Sequence, residues 1–419
     1  MDRRRSRRGK HMRKQKKIGI AGPIILVAGL ALGVFLLKDH LPWQKNQQIQ
    51  ESQATRQSTE AEANQSVETV KTARIMAHGD LLYHDIIYAS ALQADGSYDF
   101  SENFTYVQPW LEQADLAIGD FEGTISDDFP LAGYPLFNAP SSVATAMGQA
   151  GYDVMDLAHN HILDSHLSGL QSTVNYLAAA GIDSVGVYPD GNRAEMPIYI
   201  REVNGIKIAI LAYAYGFNGM EAGLTQEEYD AYLSDLNQEK MQAELAKAEQ
   251  EADFTIVMPQ MGVEYQIEPS QEQIDLYHQM VEWGADLVLG GHPHVIQPSE
   301  TLEKDGEKKL IIYSMGNFLS NQRMETMEGV LNYQWTERGV LMDLEIEKDH
   351  SGTRIKTAQA RPSWVKRVPR EGTPYYLYQT LILEDFIAGG TYRDQLSPED
   401  QARIDQAYQE TLDHVGLNW

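Results

Sequence analysis

The chain has 419 residues and contains no cysteine. That absence excludes a disulfide framework, a metal site built from thiolates and a lipid anchor attached to cysteine. Basic side chains are also scarce outside the amino terminus, because ten of the 34 Lys and Arg residues fall within residues 1–17. The rest of the chain has 24 basic against 59 acidic side chains, a net charge of about −35. A surface of that sign repels nucleic acid, so we expect no nucleic-acid partner.

One run of twenty residues without any charge, residues 18–37, follows the basic amino terminus. A helix of that length reaches across a bilayer. Charged residues follow the run directly, where a cleaved signal peptide would carry small residues for cleavage. We therefore expect an uncleaved transmembrane helix at residues 18–37, with a basic cytoplasmic tail at residues 1–17 and the main domain outside the cell membrane. A cleaved signal peptide and a buried core helix are the alternatives.

Residues 38–72 form a polar stretch rich in Gln, Glu, Ser, Thr and Asn. Such a composition buries too little apolar surface to fold alone, so we expect a linker, either a tether or a frayed helical stalk. Downstream, short apolar runs alternate with helical patterns, and this alternation predicts an α/β domain over residues 73–320. We expect residues 321–419 to form a C-terminal extension, a strand plus helices, that packs on the domain.

Polar residues of the kind that bind metal ions follow five of the apolar runs. In an α/β sheet ligands gather at the carboxyl ends of the strands, so we expect these residues to share one rim. Carboxylates, imidazoles and an amide on one rim are the components of a metal-assisted hydrolytic site. The five segments are His78-Gly79-Asp80, Gly119-Asp120-Phe121-Glu122, His159-Asn160-His161, Gln260 and Gly290-Gly291-His292-Pro293-His294.

The pair His292 and His294 is the most specific of these signals. Two histidines one residue apart at a strand end can each offer a ring nitrogen to one of two neighbouring metal ions. Asp80 and Asp120 each follow a glycine, which by itself is ordinary turn chemistry. Their recurrence beside the histidine pair favours metal ligands over turn residues.

The segment around Asn160 adds an amide oxygen and a further imidazole, that of His161. Asp164 follows three residues later and could orient one of these side chains. A polar helix start with Asn160 as the N-cap is the alternative interpretation.

Taken together, these segments resemble the CapA capsule-synthesis family, the poly-γ-glutamate synthesis proteins, whose domain looks like a calcineurin-type metallophosphoesterase. The resemblance covers roughly residues 73–320, and its motifs occur in the family's order and spacing. The segments that carry it are Gly79-Asp80, Gly119-Asp120-Phe121-Glu122-Gly123, Ala158-His159-Asn160-His161-Ile162-Leu163-Asp164, Gly262-Val263-Glu264-Tyr265, Gly291-His292-Pro293-His294 and Tyr313-Ser314-Met315-Gly316-Asn317-Phe318.

The resemblance implies a four-layer sandwich, in which two packed β-sheets are flanked by helices. It also implies one or two divalent metal ions, such as Mn²⁺ or Zn²⁺. The metal ligands that it implies are Asp80, Asp120, Glu122, Asn160, His292 and His294. The catalytic residues that it implies are His161, as general acid, Asp164 and Glu264.

Two positions depart from the family pattern. The usual Asp-x-His motif reads Asp80-Leu81-Leu82, and the usual His-Trp-Gly motif reads Gln260-Met261-Gly262. A glutamine amide is a weaker ligand than an imidazole, so full occupancy of two metal positions is not assured. His78 and His84 are the candidates to compensate for the missing imidazoles.

The resemblance implies a component of poly-γ-glutamate capsule synthesis that is anchored in the membrane and carries an extracytoplasmic hydrolase- or transferase-like metal site. Its partners would be the acidic polymer, the membrane and other membrane subunits of a capsule synthase. A polyanion needs a local cationic path. The nearest concentration of basic residues in the sequence could supply this path, or it could form a solvated surface. These residues are Arg323, Arg361, Lys366, Arg367 and Arg370. The alternative function is a non-catalytic subunit that binds or guides the polymer.

Overall fold

The computed structural model describes residues 70–419. In this part of the chain, sixteen strands form two large β-sheets and one short two-stranded sheet. The strands are β1 (Lys71–Leu81), β2 (Leu116–Phe121), β3 (Thr124–Ile125), β4 (Asn138–Ala139), β5 (Val154–Asp156), β6 (Asp183–Val185), β7 (Tyr199–Val203), β8 (Ile206–Ala214), β9 (Phe254–Gln260), β10 (Leu287–Leu289), β11 (Ile296–Lys304), β12 (Glu307–Met315), β13 (Asn317–Leu319), β14 (Arg338–Asp349), β15 (Gly352–Pro369) and β16 (Tyr376–Ile382).

The first sheet has the strand order β16-β15-β14-β1-β2-β5-β6, and β13 pairs with the end of β1. The strands from β1 to β6 are parallel, whereas β14, β15 and β16 are antiparallel to their neighbours. Three strands of the region 321–419 therefore extend this sheet directly from β1. The parallel arrangement brings the carboxyl ends of β1, β2 and β5 to one rim.

The second sheet has the order β11-β12-β10-β9-β8-β7, with parallel strands in the centre and an antiparallel strand at each edge. The central strands β8 and β9 are almost entirely apolar, which is typical of parallel strands covered on both faces. One face packs against the first sheet, because Ile75 and Ile118 of that sheet share a hydrophobic core with Ile210.

Helices complete the fold. The other face of the second sheet is covered by two of them, since Leu245 and Tyr277 form a core with Val257 and Ile311. The predicted α/β fold, with both sheets and helices, is confirmed. The helices are α1 (Asp85–Ala91), α2 (Gln108–Leu111), α3 (Ser142–Ala150), α4 (His166–Ala179), α5 (Gln226–Tyr232), α6 (Gln238–Glu251), α7 (Gln271–Trp283) and α8 (Pro398–Val415).

The predicted membrane localisation is contradicted by the helices of residues 70–419. None of them combines the length and the apolar character that a bilayer crossing requires. The longest, α8, has 18 residues, but charged side chains occur along it from Glu399 to Asp413. The predicted tail at residues 1–17, the predicted anchor at 18–37 and residues 38–69 of the predicted linker lie outside the described residues.

Candidate metal centre

Three carboxylates occupy equivalent positions on neighbouring parallel strands of the first sheet. Asp80 of β1 pairs in register with Asp120 of β2, which pairs in register with Asp156 of β5. Residues in register on neighbouring strands lie side by side, so the three carboxyl groups meet at one rim. All three are buried, and Glu122, two residues beyond Asp120, is buried beside them.

Asp80, Glu122 and His294 form the tightest group of possible ligands, and we call these three residues the acidic side of the centre. One ligand atom from each lies within 4.8 Å of the other two. His294 Nδ1 is 2.8 Å from Asp80 Oδ2 and 3.8 Å from Glu122 Oε2. Two carboxylates and an imidazole at these separations suit a divalent transition-metal ion.

Several buried atoms at the centre lack a hydrogen-bond partner. They are Asp80 Oδ1, Asp120 Oδ1, both carboxylate oxygens of Glu122, and His292 Nδ1. A buried polar atom without a partner costs on the order of 1–3 kcal/mol, and more when it carries charge. A metal ion would coordinate such atoms, so the residues present fit the cation that the sequence predicts.

The electrostatics of the centre reflect a concentration of buried acids. Burial raises the pKa of Glu122 to about 7, and burial together with Asp156 and Asp80 raises the pKa of Asp120 well above its usual range. Burial lowers the basicity of His294, but the neighbouring Glu122 and Asp80 outweigh it and raise its pKa to about 10. These carboxylates are crowded enough to hold protons, and a divalent cation would displace those protons.

His292 differs from His294 in its charge state. Burial and the nearby His294 lower the pKa of His292 to about 3, so its ring is neutral at physiological pH. A neutral imidazole with a buried nitrogen that lacks a partner is a ready metal ligand.

The backbone after β10 is shaped to bring both histidines to the carboxylates. His292 and His294 adopt positive φ angles of 92° and 57°, a conformation that few non-glycine residues hold. Gly291 allows the chain to approach, because a Cβ atom there would lie 3.0 Å from Asp120 Oδ2 and 3.4 Å from Asp80 Oδ1. This segment passes directly against the acids.

His161 is held at the edge of the centre by its neighbours. Its Nδ1 is 2.7 Å from Asp164 Oδ2, which also accepts a 2.6 Å hydrogen bond from the backbone N–H of Phe137. The Phe137 ring packs edge-on against the imidazole, with 4.7 Å between ring centroids. The Nε2 atom of His161 lies 3.8 Å from Glu122 Oε1. Asp164 therefore fixes the ring with Nε2 toward the acidic side.

Asn160, a predicted ligand, has its amide group engaged in hydrogen bonds. Gln260 Nε2 donates to Asn160 Oδ1 at 3.1 Å, and the backbone N–H of Asn160 donates to Gln260 Oε1 at 2.8 Å. Asn160 Nδ2 donates to Asn218 Oδ1 at 3.2 Å, and Asn218 Nδ2 is also 3.3 Å from His161 Nδ1. We call Asn160, Asn218 and Gln260 the amide side of the centre.

The two histidines proposed to compensate for missing ligands have different surroundings. His78 is fully buried, stacks on Phe318 at 3.7 Å and has its Nε2 2.6 Å from the Tyr152 hydroxyl. It is a satisfied core residue and not a metal ligand. His84 Nδ1 lies 3.3 Å from the backbone nitrogen of Asn321, and burial lowers the pKa of His84 to about 4.

Most of the expected cationic path is paired with carboxylates. Arg323 is buried and lies 3.4 Å from Glu337, and Arg361 lies 2.6 Å from Asp343. Arg370 is paired with Glu102 at 2.5 Å. The guanidinium groups of Arg323, Arg361 and Arg370 are therefore engaged in ion pairs within the domain.

Three residues at the centre were missed by the sequence analysis. Asp156 ends the apolar run of β5, which is the same signal that identified Asp120, and it could have been found. Tyr215 and Asn218 follow β8, so their place after a buried strand was a signal too. The Tyr215 ring lies 4.5 Å from that of His292.

Comparison with known proteins identifies relatives over the same region. The sequence model of the family described as "Bacterial capsule synthesis protein PGA_cap" matches residues 74–322. The chain is 30% identical over 228 residues to the capsule biosynthesis protein CapA of Bacillus anthracis, covering 52% of this chain and 54% of that protein. It is 26% identical over 272 residues to the PGA biosynthesis protein CapA of Bacillus subtilis, covering 63% of this chain and 67% of that protein. The chain thus spans about half the length of the first relative.

Among solved structures, the chain is similar to the calcineurin-like phosphoesterase YfkN from Bacillus subtilis. The TM-score is 0.42 at 17% sequence identity, covering 83% of this chain and 100% of that chain. The sulfate thiohydrolase SoxB of Thermus thermophilus gives a TM-score of 0.35 at 14% identity, covering 71% of this chain and 42% of that chain.

Proposed function

Because the chain belongs to the bacterial capsule synthesis protein PGA_cap family, we propose that it acts in the synthesis of a poly-γ-glutamate capsule through a divalent metal ion held on its acidic side. Two relatives carry names that refer to capsule or PGA biosynthesis. The observation that supports a metal site most directly is the group formed by Asp80, Glu122 and His294, whose buried oxygens include three without hydrogen bonds.

The proposed ligands are Asp80, Glu122 and His294, with Asp120 and His292 beside them. Nitrogen and oxygen ligands without thiolate suit Mn²⁺ or Zn²⁺. When bound, the ion would supply Lewis acidity and a water molecule of lowered pKa. The reaction that this chemistry serves is hydrolysis or transfer at an amide or a phosphoester.

In this proposal His161 gives a proton to the leaving group. Asp164, 2.7 Å from Nδ1, orients the ring so that Nε2 is the nitrogen that would carry the transferred proton. Nε2 faces Glu122 across 3.8 Å, so the proton is delivered beside the acidic side. Asn218, close to both ring nitrogens, limits rotation of the imidazole.

A non-catalytic polymer-binding subunit is the second candidate. The pairing of Asn160 with Gln260 favours it, because an amide oxygen that accepts a hydrogen bond is a poorer ligand for a second cation. In this alternative Asp80, Glu122 and His294 would hold an ion that serves only to attract carboxylates of the polymer.

The test uses the purified full-length chain with Mn²⁺ supplied or removed by a chelator. We measure binding and cleavage of poly-γ-glutamate, with a generic phosphodiester as the comparison substrate. Metal-dependent cleavage of either substrate supports the enzyme. Metal-dependent binding of the polymer without cleavage supports the second candidate, and a chain that binds neither metal nor polymer contradicts the whole proposal.

A further inference from the structure

Exposed apolar side chains concentrate around the metal centre. Within residues 70–419, ten large hydrophobic side chains are exposed. Half of them lie on the loops whose residues Phe137, Tyr215 and Tyr265 pack against the site histidines, or on the loop of Asn332, which bonds to Tyr265. The five, with exposed fractions from 44% to 79%, are Tyr134, Leu136, Tyr215, Val263 and Leu331.

Contacts connect these loops to the site histidines. The Tyr215 ring lies 4.5 Å from His292, and the half-buried Tyr265 ring lies 6.2 Å from His294. Tyr134 is near enough to Tyr265 to raise its pKa. We call Tyr134, Tyr215 and Tyr265, together with the carboxylate between the last two, Glu264, the mouth of the centre.

Glu264 gives the mouth a negative charge. It is exposed and directly precedes Tyr265, whose backbone N–H donates to Pro293 O and whose ring lies 6.2 Å from that of His294. Its charge also contributes to the raised pKa of Glu122 and of His294, consistent with a place beside the centre. After burial, Glu264 and Glu122 are the strongest causes of the raised pKa of both tyrosines. A carboxylate beside tyrosine rings attracts an ammonium group and repels a phosphate.

The loop that carries Glu264 is held in place. Tyr265 has a positive φ of 64°, and its backbone oxygen accepts a 2.7 Å hydrogen bond from Asn332 Nδ2. Its backbone N–H donates to Pro293 O at 2.8 Å, inside the segment that supplies both metal-site histidines. Gln322 Nε2 lies 3.3 Å from the Tyr265 hydroxyl. These three contacts fix the backbone that carries Glu264.

We propose that the mouth recognises the free amino end of an acidic polyamide, with the ammonium group against Glu264 and the tyrosine rings and the first amide directed to the metal centre. This inference rests on the proposed function, which supplies the polymer. An amino end is the one positive group of such a chain. It therefore resolves the conflict between an acidic polymer and an acidic site.

The test compares two ligands on the full-length chain with Mn²⁺ bound: a short γ-glutamyl oligomer with a free amino end and the same oligomer acetylated there. We expect acetylation to weaken binding by roughly three- to thirtyfold, the effect of losing one ammonium–aromatic and carboxylate contact. Glu264→Gln and Tyr215→Ala should each lower this ratio, and the two together should bring it close to one, whereas Tyr215→Phe, which keeps the ring, should preserve it.

Tyr375→Ala is the matched control, because Tyr375 is also exposed but lies in the turn between β15 and β16 at the far edge of the first sheet. It should leave the ratio unchanged, and metal content measured on every variant shows whether the centre is intact. Equal binding of the two oligomers by the unaltered chain overturns this inference alone. Failure of the metal-loaded chain to bind either oligomer overturns the polymer proposal and this inference with it.

Discussion

The acidic side and the amide side of the metal centre differ in how their polar atoms are satisfied. On the acidic side, Asp80 and Glu122 leave buried oxygens without hydrogen bonds beside His294. On the amide side, Asn160 and Gln260 satisfy one another. Atoms of the first kind could be satisfied by a bound cation, whereas atoms of the second kind are already satisfied by hydrogen bonds. A set of ligand-type residues on one rim therefore does not by itself determine how many cations bind there.

The largest loss of metal binding is expected when both site histidines are removed. We expect His292→Ala combined with His294→Ala to abolish Mn²⁺ binding, because the remaining carboxylates would have to hold the ion without an imidazole. Elemental analysis of the purified chain after equilibration with Mn²⁺ measures the loss, and circular dichroism checks the fold. Asn160→Ala, on the amide side, is the control and should retain metal. An unchanged metal content in the double variant would show that neither histidine is a ligand of the ion.

His161 lies between the acidic side and the amide side, and its substitution should lower turnover without lowering metal content. If the chain is an enzyme, His161→Ala should lower turnover by on the order of a hundred- to ten-thousandfold, the worth of a positioned acid. Metal content should stay near that of the unaltered chain, since His161 is not part of the tight group formed by Asp80, Glu122 and His294. Rate measurements on poly-γ-glutamate with Mn²⁺ supplied provide the test. Equal loss of metal and of rate would instead make His161 a ligand.

The affinity for Mn²⁺ should rise with pH, because residues of the acidic side must release protons before they can bind the ion. His294, with a pKa raised to about 10, is protonated at pH 7 in the metal-free chain and must release that proton to coordinate. Above pH 7 we therefore expect an increase of about tenfold per pH unit. Below it the increase should be steeper, since Glu122, with a pKa raised to about 7, also loses a proton.

Calorimetric titration at pH 6, 7 and 8 measures this slope, and buffers of different ionisation enthalpy count the protons released. Asn160→Ala should show the same slope, because the amide side does not titrate. An affinity independent of pH would contradict the protonated state of His294.

Gln260→His should improve metal binding on the amide side of the centre. It replaces an amide by an imidazole and releases Asn160 Oδ1 from its 3.1 Å hydrogen bond. We expect weak binding of a second Mn²⁺ to tighten on the order of tenfold, while the first is unaffected. Gln260→Ala, which frees Asn160 without adding a ligand, is the matched control in the same titration. If both variants behave like the unaltered chain, the amide pair does not govern the second position.

The positions of the acids could be predicted because their signals are local. Asp80 and Asp120 each end an apolar strand, and parallel strands bring such ends together wherever they fall in the sequence. The pairing of Asn160 with Gln260 could not be predicted in this way, since it joins residues 100 positions apart on two different sheets. That contact depends on how the sheets pack, which no short segment encodes.

His78 shows a second limit of local reasoning. In a regular strand, residues two apart point to the same side, so His78 would be expected to lie beside Asp80 and to be available as a ligand. The pairing of β1 with β2 shifts register between Ala77 and Asp80. The alternation is interrupted there, and the His78 ring packs against Phe318 and Tyr152 instead of joining the centre.

The contact between His294 and Asp80 joins positions 214 residues apart and links the two sheets. A metal ion bound there can form all of its bonds only after both sheets have been built and docked. Binding would then add about 2.7 kcal/mol to the free energy of unfolding when the free ion is near a hundred times its dissociation constant. Possession of the ion would therefore mark a chain that has finished folding, so that incompletely assembled molecules could neither retain the metal nor engage the polymer.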